Sequence, residues 1–163
     1  MDFFRRPEKR SAAFDHSRIL VPLVGEDAVD DPALKVAAVL LDDREGVEVS
    51  LLHVIEVPFD RNLDTEDEAT VVRADEILTR AESMLSERGI RTRTSTVQAR
   101  AAGPAIVDDA NELGADLIVM GLRYKKRFGG QWDAGRTVPY VMRNSTAPVW
   151  CLRAETKELA HTP

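Results

Sequence analysis

The chain has 163 residues, 44% of them apolar and 31% charged, with a net charge of −6. Such a composition suits a soluble globular domain with one substantial core and excludes a disordered chain, while the negative balance argues against nonspecific nucleic-acid binding. No apolar run approaches the roughly 20 residues that span a bilayer, and the N-terminal residues lack the apolar stretch of a secretory signal. The single cysteine, Cys151, excludes an internal disulfide framework and agrees with a reducing, cytoplasmic compartment. The three histidines are scattered without metal-ligand spacing.

In chain order, residues 1–17 read as a flexible polar arm with Arg5, Arg6, Lys9 and Arg10 clustered in it. Arg18 to Val24 is a short apolar run closed by Gly25, the pattern of a strand buried on both faces. Pro22 is awkward there, because proline cannot donate to a ladder. Asp30-Asp31-Pro32 reads as a helix start, a capping carboxylate followed by proline in the first turn, with Leu34, Ala37, Ala38 and Leu41 on the apolar face. Val47 to Val57 is a second buried strand, stopped by Pro58. Residues 66–88 form a long amphipathic helix with Val71, Ala74, Ile77, Leu78, Ala81, Met84 and Leu85 inward, and Gly89 is its stop. Ile90 to Gln98 alternates around Arg and Thr, as an edge strand does.

Gly103-Pro104 opens a third helix, which Gly114 ends. Leu117 to Gly121 is again a buried strand. A basic loop follows, where Arg123, Lys125, Lys126, Arg127 and Arg136 face Asp133 alone, a local +4 that leaves about −10 for the rest. A short helix around Val138 to Arg143 and a last strand, Ala147 to Leu152, complete the domain at residue 153, and residues 154–163 read as a tail. Strands alternating with helices in this way predict an α/β fold with a mostly parallel, doubly wound sheet and helices on both faces. In such sheets ligands sit beyond the carboxyl ends of the strands.

Four segments carry a resemblance: Ile19-Leu20-Val21-Pro22, Leu51-Leu52-His53-Val54, Gly114-Ala115-Asp116-Leu117-Ile118-Val119-Met120-Gly121, and Asn144-Ser145-Thr146-Ala147-Pro148-Val149. In this order and spacing, over residues 18–153, the chain resembles the universal stress protein family. The resemblance implies a five-stranded sheet of order 3-2-1-4-5 and a homodimer through the last strand. It also implies an adenine nucleotide bound at Gly-x-x-Gly, about nine residues, then Gly-Ser or Gly-Thr. Gly121 matches the first glycine, Tyr124 replaces the second, and Gly135 matches the third one residue late. Arg136 stands in place of the hydroxyl residue, with Thr137 next. Val24 stands where the family places a nucleoside-contacting aspartate.

Glycines let backbone N–H groups approach phosphate, and arginine grips it in two places. Gly129-Gly130 and the basic side chains therefore compensate in part for the departures. The candidate nucleotide-binding set is Leu23, Val24, Val54, Gly121, Arg123, Tyr124, Arg127, Gly129, Gly130, Gly135, Arg136 and Thr137. Its ligand is ATP, AMP or a cyclic dinucleotide, with magnesium only alongside nucleotide. Two other readings stand beside this one. Gly135 to Val141 resembles the loop of stress domains associated with membrane transporters, which suggests an interaction module without nucleotide. An enzyme is the third reading, at most a slow ATP hydrolase: no nucleophile–base pair, pyrophosphatase loop or nucleotidyl-transfer motif is present. His53 reads as a structural histidine in a buried strand, and Cys151 as a small core residue.

Overall fold

The computed structural model describes residues 16–41, 44, 47–65, 67–123, 125–126 and 132–153. Most of the expected arm and the whole expected tail lie outside them. Ordered contacts begin just before Arg18: the Ser17 backbone N–H donates to Asp116 Oδ2 at 2.9 Å.

Five parallel strands form the main sheet: β1 (Arg18–Leu23), β2 (Glu48–Glu56), β3 (Arg91–Ala99), β4 (Leu117–Gly121) and, at its end, β7 (Val149–Leu152). Their order is β3-β2-β1-β4-β7, the 3-2-1-4-5 arrangement expected for five sheet strands. Two short strands, β5 (Lys125–Lys126) and β6 (Trp132–Asp133), pair antiparallel inside the basic loop. No hairpin was expected there; a pair of two-residue strands is too short to leave a periodic signal.

Strand alternation divides the interior in two. Ile19, Val21, Leu23, Val49, Leu51, Leu117 and Val119 face helices α1 (Asp27–Leu41) and α2 (Glu68–Ser86). Leu20, Leu52, Ile118 and Met120 face α3 (Ala102–Leu113) and α4 (Thr137–Asn144). On β7, Trp150 and Leu152 pack into the first layer, Val149 and Cys151 into the second. Gly114 caps α3 at φ 59° and Gly89 follows α2 at φ 72°, both in the left-handed region open to glycine. β3 is an edge strand, with Arg91 and Arg93 exposed along it.

The start of α1 differs from expectation. The helix begins at Asp27, so Pro32 lies inside it rather than in its first turn. Pro32 removes a hydrogen bond to the carbonyl of Ala28, which is exposed and accessible to water. The true N-cap is Glu26, whose carbonyl accepts from the N–H groups of Val29 and Asp30, both at 2.9 Å.

Pro22 positions the site. The Asp116 N–H donates to the Arg18 carbonyl at 3.0 Å, so the even residues of β1 turn their backbone polar groups toward β4. In that register the next bond would run from residue 22 to the carbonyl of residue 119, and proline has no N–H. Accordingly the ladder with β4 ends at Leu20, while the ladder with β2 runs on to Leu23. The seam between β1 and β4 is also where the chain reverses its direction of winding, the place where open α/β sheets hold their ligands.

Candidate functional site

All five strands are parallel, so each following helix starts at the carboxyl end of the sheet. Four helix N-termini, each a partial positive charge with unpaired N–H groups, therefore cluster at one end. Two already hold carboxylates from the chain itself. At the β1–α1 turn, Asp30 Oδ1 accepts from the Val24 N–H at 2.9 Å and Oδ2 from the Gly25 N–H at 2.8 Å. At α3, Glu56 Oε1 accepts from the Ala102 N–H at 2.7 Å. A third, α2, begins with Asp67 and Glu68, which repel an incoming anion.

Neither α3 nor α4 has a capping bond from its own N-cap side chain or an acidic residue in its first turn; they differ in that, among the described residues, Glu56 reaches the first N–H of α3. Its N-cap is Arg136, preceded by Gly135 at φ 71°. Gly135 and Arg136 are exposed and Thr137 is half-buried. A turn with a left-handed glycine and a cation at a helix N-terminus can receive an anion.

Asp30 is 4% exposed. Burial pushes its carboxyl above the usual range, against the opposing effect of hydrogen bonds from Val24, Gly25 and Glu26 and the nearby His53. His53 Nδ1 lies 3.0 Å from the Leu23 carbonyl; a carbonyl only accepts, so Nδ1 carries the proton. His53 itself is half-buried rather than part of the core.

Gly121 lies directly against α1: a Cβ built on it would fall 2.0 Å from the Val29 carbonyl oxygen. Two residues on, Arg123 reaches across the seam. Its Nη2 is 2.7 Å from Glu26 Oε1 and its Nε 3.2 Å from Glu26 Oε2. Leu23 is buried beneath α1 and α2, and its carbonyl accepts from His53. Val24 is 42% exposed, with its N–H held by Asp30. Val54 is half-buried on the α3 side. The strand ends thus bring Leu23, Val24, Gly121 and Arg123 to the seam. Tyr124, Arg127, Gly129 and Gly130 lie outside the described residues.

Asp30, Glu26 and Glu56 were not among the expected site residues. Their partners lie 5 to 97 residues away along the chain, and no local pattern marks such pairs. A second concavity of about 380 Å³ runs between β3 and α3, lined in part by Gln98, Asp108, Asp109 and Glu112. There Gln98 Oε1 and Asp109 Oδ2 are buried without a partner. Burial, and secondarily the charge of Glu112, raises the Asp109 carboxyl above its usual range. Among the described residues no group of three or more His, Cys, Asp or Glu side chains could hold a metal ion, and no helix is long and apolar enough to cross a membrane.

Comparison with known proteins agrees with this fold. The universal stress protein family profile matches residues 16–153. A universal stress protein from Archaeoglobus fulgidus is 24% identical, with 85% of this chain and 99% of that one covered at a TM-score of 0.70. A structure of the Archaeoglobus fulgidus protein in complex with dAMP gives 23% identity, coverage of 85% and 98%, and a TM-score of 0.68. A universal stress protein family member from Arabidopsis thaliana with AMP bound is 12% identical, with coverage of 87% and 94% and a TM-score of 0.63. At these identities the likeness to the solved structures establishes the fold. No curated protein sequence matches the chain significantly.

Proposed function

The chain belongs to the universal stress protein family, and from that premise we propose that it is a regulatory adenine-nucleotide-binding protein of the cytoplasm, without efficient turnover. The observation that carries the reading is the unequal state of the helix N-termini. α1 has Asp27 and Asp30 in its first turn, with Asp30 turned back on the N–H groups of Val24 and Gly25; the first N–H of α3 is held by Glu56; and α2 is guarded by its own acids. α4 has no acidic residue in its first turn and carries Arg136 at its N-cap, which supports its N-terminus as the place for a phosphate.

The nucleotide lies along the seam between β1 and β4, against Val24, Gly121 and Arg123, with its phosphates toward α4. Lysine and arginine in the basic loop, Arg127 among them, add positive charge that favours a phosphorylated ligand. Relatives of the same fold are described with dAMP and AMP, which supports an adenine nucleotide over other phosphoesters. Val24 supplies no carboxylate for the nucleoside, so recognition rests more on phosphate than on sugar. ATP and cyclic dinucleotides fit the same charge pattern, with magnesium arriving only with the nucleotide. Two copies pair through β7, the edge strand opposite β3.

A thermal-shift titration with AMP, ATP, cAMP and cyclic dinucleotides tests this. A ligand at 100 times its Kd stabilises by about 2.7 kcal/mol, roughly 5–10 °C for a domain of this size. No shift with any of them at millimolar concentration refutes the reading. A second reading, a nucleotide-free module that regulates a membrane transporter or another stress domain, is favoured by one observation: Arg123 is already engaged by Glu26. Co-purification of a membrane partner in the absence of any nucleotide response would support it.

A further inference from the structure

The ion pair between Glu26 and Arg123 joins two loops that are far apart in the chain and adjacent at the ligand end of the sheet. Glu26 caps α1 through its own carbonyl, which fixes its backbone at the mouth of the seam. Arg123 follows Gly121, whose close approach to Val29 fixes the end of β4 in the same way. The two side chains therefore meet from anchored positions. They meet in a two-point contact, Nη2 to Oε1 at 2.7 Å and Nε to Oε2 at 3.2 Å. That geometry is the fork with which guanidinium also holds phosphate. One guanidinium edge cannot serve a carboxylate and a phosphate together.

We propose that Glu26 and Arg123 form an exchange latch on the seam. With the site empty, Glu26 holds the guanidinium; a ligand phosphate takes it over, and the freed carboxylate turns to solvent. The inference rests on the nucleotide reading above and adds a selectivity to it. Only a ligand that brings its own anion can replace Glu26, so nucleotides enter and nucleosides gain nothing from Arg123. Both partners are substantially exposed, Arg123 at 42% and Glu26 at 51%. Exposed pairs of this kind contribute no more than about 1 kcal/mol, or roughly a fivefold change in an equilibrium. The latch is therefore weak enough for a phosphate to open. Glu26 also places a negative charge beside the incoming anion, and that repulsion acts in the same direction.

The test is a calorimetric titration of AMP and adenosine into the whole protein, into E26Q, into R123Q and into the double variant. Glutamine keeps the length of Glu26 and the backbone cap while removing the charge. The expected result is AMP binding to E26Q about two- to fivefold tighter than to the unmodified protein, with adenosine binding unchanged. The gain falls when Arg123 is also replaced, leaving only the part due to direct repulsion by Glu26, and it shrinks as salt is raised from 50 to 500 mM, because exposed charges are screened. Equal tightening toward adenosine, or a gain as large in the R123Q background as with Arg123 present, overturns the latch. So does AMP binding that is the same in E26Q and the unmodified protein, an outcome that leaves the nucleotide reading standing. Absence of AMP binding in all four proteins overturns both.

Discussion

Replacing Gly121 with alanine tests how the seam is built. The new Cβ would lie 2.0 Å from the Val29 carbonyl oxygen, 2.7 Å from its carbonyl carbon and 2.7 Å from its Cγ1. Cβ contacts under 3.0 Å essentially never occur, so β4 and the first turn of α1 must part by about 1 Å at least. The nearest obstacle is backbone, which cannot rotate aside as a side chain can. Overpacking costs about 1–3 kcal/mol in ordinary cores, and this position belongs at the upper end, about 3 kcal/mol. For a chain of 163 residues that lowers Tm by roughly 6–12 °C. Urea unfolding followed by far-UV circular dichroism measures it, with G89A as the control. Gly89 has φ 72° but open space around its Cβ direction, so alanine there meets only the left-handed backbone penalty of about 1–2 kcal/mol. A G121A loss below 0.5 kcal/mol, or one smaller than that of G89A, would refute the close approach of α1 to β4.

Two further substitutions test the carboxylates. Asp30→Ala leaves the Val24 and Gly25 N–H groups without their partner and is expected to destabilise by about 2 kcal/mol in denaturant titration; a loss under 0.5 kcal/mol would remove Asp30 from its capping role. Asp109→Asn acts in the opposite direction. The folded-state pKa of Asp109 is raised by burial, so its contribution to stability is fully present below the unfolded value near 3.8 and is lost as pH rises through the folded value. The asparagine variant has no such loss, so its advantage over the unmodified protein should grow from about pH 3.5 to pH 7. A constant difference across that range would show that the carboxyl is not held above its usual pKa.

The alternation of strand and helix was legible because each buried strand is a short aliphatic run and each helix carries one apolar stripe. Gly89 and Gly114 were legible for the same local reason: each stands just past the last inward residue of its helix and takes a positive φ. Asp30 is the exception, because Asp-Asp-Pro fits a helix N-terminus as well as a helix interior. Two nearby contacts decide between them, and the three residues themselves announce neither: Glu26 caps the helix, and the Asp30 carboxylate turns back to the end of β1. The basic loop was visible as charge, yet its partner Glu26 lies 97 residues earlier. The cap that Glu56 provides for α3 spans 46 residues. Local composition can announce a cation or a carboxylate, but which one it faces is decided by the order of strands in the sheet.

The proline in β1 makes one property of the seam permanent. Pro22 leaves β1 and β4 unladdered beyond Leu20, and no change of conformation can supply the missing N–H. The parting of the two strand ends is therefore written into the covalent chain, and it is the same whether or not a ligand lies above it.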